Sequence, residues 1–375
     1  MPKIIDLNYL IDIGEKKITV SDNFNMERLI NVLPSLHKLN NIIGMEAAKL
    51  TVCKIIIFYT VNLCDKNKDM MHTMIQGCSG TGKTMLARII GEIYWKLGIL
   101  DDDATTHNVV DEANNGVQRQ LRKKQKVEYD EDNIINGADN GYDYNDGFMA
   151  SDDDIDDDKS YTSSKSTSSD TVISNTYKFI EASRTDCIDK YQGGTATKTS
   201  NLIKSALGGV LFIDEAYSLG NSGHEDSYNK ECIDTLTSLM EKYKGKVIII
   251  LGGYKQSMED ALLKYNEGLA RRITFTITID GYSAQQLGQI FVHMVKNISV
   301  DDLWTTTLST SYLTTFFNKN MSAFPHYGGD IESLLFHIKL IHGTRLLHAP
   351  LTSRKCVNKE DLLNGFQDYL INRVP

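Results

Sequence analysis

Two short stretches of this sequence combine residue types that together point to one chemistry. The first is the octapeptide Gly77-Cys78-Ser79-Gly80-Thr81-Gly82-Lys83-Thr84, which satisfies the pattern G-x-x-x-x-G-K-[ST]. Its three glycines admit backbone dihedrals and close approaches that a Cβ would block, so successive N–H groups can turn inward towards phosphate oxygens. Lys83 offers a point charge to the outer phosphates of a nucleoside triphosphate, and the Thr84 hydroxyl is a ligand of the kind Mg²⁺ takes. The second stretch is Asp214-Glu215, at the end of the run Gly208-Gly209-Val210-Leu211-Phe212-Ile213. A carboxylate pair there places Asp214 to hold the hydration shell of a Mg²⁺ ion. It places Glu215 to polarise a water for attack on a γ-phosphate. Nucleotide binding followed by hydrolysis is the chemistry these residues predict.

Each stretch needs an element to hold it. Thr73-Met74-Ile75-Gln76 reads as a buried strand leading into the glycine-rich loop. After the loop, Leu86, Ile89, Ile90, Ile93 and Leu97 repeat at helical spacing until Gly98 ends the helix. A helix start facing phosphate is itself a favourable anion site. Val210–Ile213 reads as a parallel strand buried on both faces, with its C-terminal end at the ligand crevice. Val247–Leu251 reads the same way, Ile273–Ile277 as an alternating strand, and Tyr177–Ala182 as a half-alternating one. Between them runs a helix with Ile233, Leu236, Met240 and Tyr243 on one face.

Strands alternating with helices predict an α/β layered domain with a parallel sheet. From Asp280 the pattern turns helical. Ser283 to Gln286 forms a capping box ahead of Leu287, Ile290, Phe291 and Met294. A second helix carries Ile331, Leu334, Leu335, Ile338 and Ile341, and a third starts at Asn358 with Leu362, Phe366 and Tyr369. The chain thus divides into an N-terminal extension (1–40, with a helix around Met26 to Leu36), an α/β domain (41–280) and a helical domain (281–375). The turn Asn41-Ile42-Ile43-Gly44 opens an apolar helix. From these residues alone it fits a purine-binding wall and a plain helix start equally well.

Composition narrows the classes. Of 375 residues, 41% are hydrophobic and 24% charged, as in soluble globular proteins. The N-terminus has no basic-then-apolar signal pattern, and the apolar stretch Leu50 to Leu63, with Lys54 and Asn62, is too short to span a bilayer. No membrane partner is expected. Six scattered cysteines without a Cys-x-x-Cys pair suit a reducing, cytoplasmic location. The net charge of −9 is concentrated: Asp101 to Asn175 holds 19 acidic and seven basic side chains. With few aromatic or branched residues, 101–175 reads as an acidic, mostly disordered insert. The near-neutral remainder counts against extensive nucleic-acid binding.

Taken in order, the motifs resemble those of the AAA+ ATPases, P-loop NTPases with a parallel-sheet large domain and a C-terminal helical lid. The resemblance is to the branch of the red-type Rubisco activase CbbX (CfxQ) and the stage V sporulation protein K, and especially to its giant-virus members. It rests on His72 through Thr84, Tyr191-Gln192-Gly193-Gly194-Thr195, Gly208 through Leu219, Gly252-Gly253-Tyr254-Lys255, Gly268-Leu269-Ala270-Arg271-Arg272 and Gly328 to Glu332. It covers residues 40 to 375 apart from the insert.

The resemblance implies an ATPase using ATP and Mg²⁺, assembled as a ring, usually a hexamer, with nucleotide at subunit interfaces. Arg272, with Arg271 as its neighbouring rival, falls on the arginine finger. Tyr191, Gln192 and Gly193 fall on a pore loop that grips a threaded polypeptide, and Ile42, Ile43 and Gly44 on the adenine side. The implied activity is ATP-driven remodelling of an unnamed protein partner. The alternatives are an ATP-gated assembly scaffold with slow turnover and a nucleic-acid-associated motor. Three departures stand out. Gln192 replaces an apolar residue, Gly329 or Asp330 stands where a sensor arginine is expected, and the first polar sensor is Tyr254 or Lys255.

Overall fold

The computed structural model describes residues 6–21, 23–65, 69–100, 177–191, 193–220, 227–298, 304–347 and 355–373. The acidic segment 101–175 and Gln192 therefore lie outside the described residues. Five strands form one parallel sheet: β1 (Thr73–Gly77), β2 (Phe179–Ala182), β3 (Val210–Ile213), β4 (Ile248–Gly253) and β5 (Phe275–Ile279). Their order is β2-β3-β4-β1-β5, so the strand that feeds the glycine-rich loop lies inside the sheet, between β4 and β5.

The continuous apolar runs have a direct cause. Val210, Phe212, Ile248, Ile250 and Ile75 point into one core, and Leu211, Ile213, Ile249, Leu251 and Met74 into another on the opposite face. A sheet covered on both faces needs apolar side chains at every position, not at alternate ones. One face is covered by α4 (Lys83–Lys96) together with α1 (Leu7–Gly14), α2 (Met26–Asn40) and α3 (Glu46–Thr60). The other is covered by α5 (Thr195–Ser205) and α6 (Ser227–Lys242).

Helices α1 and α2 share the main core through Leu7, Leu10, Leu29, Val32 and Leu36, all buried. Helix α2 is also tied to α4, where Lys38 pairs with Glu92 at 2.9 Å and Lys96 donates to Ser35 Oγ at 3.0 Å. The C-terminal region contains α7 (Ala284–Lys296), α8 (Thr310–Lys319), α9 (Gly328–Leu346) and α10 (Lys359–Asn372). The capping box at Ser283 is formed: its hydroxyl accepts from Gln286 N, and Gln286 Oε1 accepts from Ser283 N. Asn358 caps α10 in the same way.

Several elements differ from the sequence reading, α1 among them. Helix α8 was not among the expected helices; it is capped by Ser309 and buries Leu313, Phe316 and Phe317. Strand β4 continues through Gly252 and Gly253. Strand β5 begins two residues later than the apolar pattern suggests, because Ile273 lies in the turn and the ladder starts where Thr274 N and Phe275 N bond to His72 O. His72 is 2% exposed, and its Nδ1 accepts from Ile249 N at 3.0 Å, joining the start of β1 to β4. Burial, with the Arg272 and Lys244 charges nearby, pushes its pKa down to about 4.

Candidate active site

The loop Cys78–Gly82 joins β1 to α4, and it turns through two positive-φ glycines, Gly80 (+68°) and Gly82 (+87°). Lys83 opens α4 and is 7% exposed. Its Nζ donates to Gly77 O at 3.2 Å and Cys78 O at 3.1 Å, and it sits 5.0 Å from the centre of the Tyr254 ring. A cation held at the loop's own carbonyls and over an aromatic face is a strong anion-attracting point. Of the two candidate polar sensors, Tyr254 is the one that faces this lysine. Lys255 is exposed and begins a short helix.

Asp214 and Glu215 follow β3, one strand removed from β1, and must reach across β4. Gly252 makes that crossing possible: a Cβ there would meet the Phe212 ring at 2.8 Å and Asp214 Oδ1 at 3.2 Å. Across the gap, Thr84 Oγ1 donates to Asp214 Oδ2 at 3.4 Å, so the loop threonine and the strand-end aspartate converge. A hydroxyl and a carboxylate oxygen brought side by side are both ligands of the kind a hard cation takes.

Glu215 adopts a left-handed conformation (φ +49°, ψ +40°), a costly one for a residue with a side chain and common where surrounding structure fixes a functional group. Its Oε2 is buried with no hydrogen-bond partner. An unsatisfied buried carboxylate oxygen is expensive unless a missing molecule supplies the bond. The hydroxyl of Tyr217 is held well above the usual tyrosine range by burial, and then by the Glu215 carboxylate. Tyr217 packs against Tyr254 with ring centres 5.6 Å apart. A cleft of about 520 Å³ opens beside the pair, lined by Asp214, Glu215, Ser183, Arg184 and Ser218.

On the other side of the loop lies a more apolar cavity of about 480 Å³, walled by Ile42, Ile43, Met85, Tyr282, Ile290 and Met294 and floored by Gly80, Thr81 and Gly82. A mostly apolar cavity of this size next to a glycine-rich loop suits a nucleobase, with Lys38, Asn41, His293 and Glu332 as polar groups in its lining. The Ile42–Ile43 turn is fixed by Lys49, whose Nζ donates to Ile42 O at 2.7 Å. Gly44 does not line the cavity; its φ of +70° makes the turn, against Tyr282 and Gln286. The walls from α7, Ile290 and Met294, had been read as helix core. Nothing local in the sequence marks Met85 and Tyr282 as part of a site.

Arg271 and Arg272 lie elsewhere. The register pairs Thr73 with Phe275 and Gly77 with Ile279, so both arginines precede the N-terminal edge of the sheet while the glycine-rich loop leaves its C-terminal edge. Five strand residues separate the two edges, roughly 13–16 Å. The Arg271 side chain is 80% exposed and 3.5 Å from Glu267. Arg272 is 26% exposed, with Nη1 donating to Gly268 O at 2.9 Å and Nε 3.5 Å from Glu241. Tyr191 is 79% exposed in the loop before α5, where Gly193 has φ +80°. At the start of α9, Asp330 is buried and accepts from His326 N at 2.6 Å and from the Tyr369 hydroxyl at 3.2 Å. It therefore caps a turn.

The same architecture has relatives. A cfxQ-like protein of Acanthamoeba polyphaga mimivirus is 31% identical over 374 residues, covering 98% of this chain and 73% of its own. The chain belongs to the CfxQ-like AAA ATPases. The model of the ATPase family associated with various cellular activities (AAA) matches residues 163–277, which takes in β2 to β4 and the start of β5, with Asp214, Glu215 and Arg272. Stage V sporulation protein K of Bacillus subtilis is 29% identical over 271 residues, 70% of this chain and 61% of its own. A CfxQ homologue of Galdieria sulphuraria is 31% identical over 186 residues, 49% of this chain and 58% of its own. The chain thus spans about three-quarters of the mimivirus protein's length and about three-fifths of each of the other two. No helix among its described residues is long and apolar enough to cross a membrane.

Proposed function

We propose that this AAA ATPase hydrolyses ATP at a site completed by a second copy of the chain, and that it uses the energy to remodel a protein partner. The observation that carries this reading is the placement of Arg272 at the opposite sheet edge from Lys83. A guanidinium there cannot serve its own loop, but a neighbour stacked edge to edge could use it.

In this reading the N–H groups of Cys78–Gly82 and the Lys83 ammonium hold the β- and γ-phosphates. The cavity at Ile42 and Ile43 takes the adenine. Thr84 and Asp214 are the residues that would hold Mg²⁺, and their convergence across Gly252 fits such an ion. When bound, Mg²⁺ neutralises charge on the phosphate oxygens. Glu215 orients a water with its free Oε2 and takes its proton, and Tyr217 fixes the carboxylate. Arg272 of the next copy stabilises charge on the γ-phosphate, a contribution of about 10³–10⁵ in rate for such arginines. A ring, with a hexamer as the family norm, satisfies every site. Tyr191 and Gly193 are both exposed and suited to gripping a polypeptide.

The start of α9, where Gly329 or Asp330 stands in place of an arginine, favours a second reading: an ATP-gated scaffold with slow turnover. Steady-state ATPase against protein concentration, with mass photometry in ATP, separates the two. Specific activity that rises with concentration and assembled rings support the motor, while Glu215→Gln binds ATP without turnover. Stable assemblies with negligible turnover in the wild type support the scaffold. Activity independent of concentration in a monomer refutes the shared site.

A further inference from the structure

The C-terminal region lies directly on the phosphate loop. Two loop carbonyls, Gly80 O and Thr81 O, accept hydrogen bonds, and Thr81 is only 1% exposed, where an unpaired carbonyl would be costly. Both donors come from the C-terminal region. Gly328 N donates to Gly80 O at 3.1 Å, and the Tyr282 hydroxyl donates to Thr81 O at 2.9 Å. The approach is close enough that a Cβ on Gly80 would stand 1.8 Å from His326 O and 2.8 Å from Gly329 N.

The turn that delivers these atoms is over-determined. Tyr327 takes φ +46° and ψ −108°, a sparsely populated conformation for a residue with a side chain that persists only where neighbours impose it. Its ring meets Tyr282 edge-on at 5.8 Å. Asp330 holds His326 N from within the same turn and is itself held by Tyr369 of α10. Tyr282 is 8% exposed, and burial raises its hydroxyl to about 12, so it remains a donor at any working pH.

We propose that Tyr282 is a positioning residue for the phosphate loop, and that Tyr282 and Gly328 carry the loop's conformation to the lid by direct contact with its main chain. This takes the place of the sensor arginine that the start of α9 lacks. The inference rests on reading Gly77–Thr84 as the phosphate loop. A loop that adjusts its backbone to hold phosphates moves Gly80 O and Thr81 O, and both lid donors must follow or break. Because the hydroxyl and the helix start belong to different parts of the lid, α7 and α9 are pulled together.

The test is Tyr282→Phe, which keeps the ring and its packing and deletes one donor. Hydrogen exchange of residues 326–332 is followed with and without ADP, and the affinity for a fluorescent ADP analogue is measured beside it. The expected results are a melting temperature lowered by no more than a few degrees and exchange at 326–332 about 3- to 10-fold faster without nucleotide. ADP is expected to bind about 3- to 10-fold more weakly, the loss of one neutral hydrogen bond, and to protect 326–332 less than in the wild type. Gly80→Ala, which forces the turn off the loop, is expected to speed the same exchange further. If Tyr282→Phe leaves exchange, its response to ADP and affinity at wild-type values while Lys83→Ala abolishes ADP binding, the proposal fails and the loop reading stands. If Lys83→Ala still binds ADP, both fail.

Discussion

His72 offers a prediction whose size follows from its surroundings. It is 2% exposed, accepts Ile249 N on Nδ1 and has its pKa held down to about 4, first by burial and then by the Arg272 and Lys244 charges. In the unfolded chain its pKa is about 6.5. Between these values the unfolded state binds a proton that the native state refuses, so stability increases with pH across the window. The slope is about 1.4 kcal/mol per pH unit, and the whole window of roughly 2.5 units amounts to about 3 kcal/mol. The contribution is fully present above pH 6.5 and is lost as pH falls towards 4. His72→Asn is the matched perturbation, because Asn Oδ1 can take over the acceptor role of Nδ1 without titrating. Urea unfolding followed by circular dichroism, at half-unit steps from pH 4 to 7, gives both profiles. The wild-type curve should climb more steeply than the variant's by about 1.4 kcal/mol per unit below pH 6.5, and the two should run parallel above it. Parallel curves throughout would mean that His72 is not a buried neutral acceptor, and the link between β1 and β4 would need another account.

Further outcomes are expected elsewhere. Asp361 is buried and accepts from Arg345 Nε at 2.8 Å and Nη2 at 3.0 Å; burial raises its pKa, but the bonds from Arg345, the Asn358 N–H and His342 outweigh that and hold it below the usual carboxylate value. Asp361→Asn should therefore cost about 3–5 kcal/mol at pH 7, measured by denaturant unfolding. That stabilisation is present above about pH 4 and is lost as pH falls below it. Arg272→Ala should keep nucleotide affinity within about twofold and lower turnover by about 10³ or more. Mixing it with Glu215→Gln, itself inactive, should restore part of the activity, since each variant supplies what the other lacks. No recovery in the mixture would contradict a shared site.

What could be read from the sequence, and what could not, follows the range of the interactions involved. The glycine-rich loop and the Asp214-Glu215 pair stood out in the sequence because their pattern is carried by residues adjacent in the chain. The strands were legible because a sheet buried on both faces demands unbroken apolar runs. Helix α8 was not, because Thr310–Lys319 is rich in Thr and Ser and shows only Leu313, Phe316 and Phe317 as its apolar face. Gly252 and Gly253 look like the end of β4 and are instead its last two positions, where the missing side chain clears a path for Asp214. The contact of Tyr282 with Thr81 spans 201 residues and leaves no local trace. Nor did residues 6–40 announce that Leu29, Val32 and Leu36 complete the main core.

The separation of Lys83 and Arg272 to opposite sheet edges also bears on symmetry. If each chain lends its arginine to one neighbour and borrows from another, the contact joins two different surfaces, and such contacts propagate head to tail. An open row then always ends badly: its first member has a loop that receives nothing, and its last has an arginine that serves nothing. A pair of chains completes one centre out of two, a row of three completes two out of three, and only a closed circle completes them all. Catalytic output per chain would then report closure itself, so a capping partner that occupies one edge would silence the terminal centre without ever touching a nucleotide.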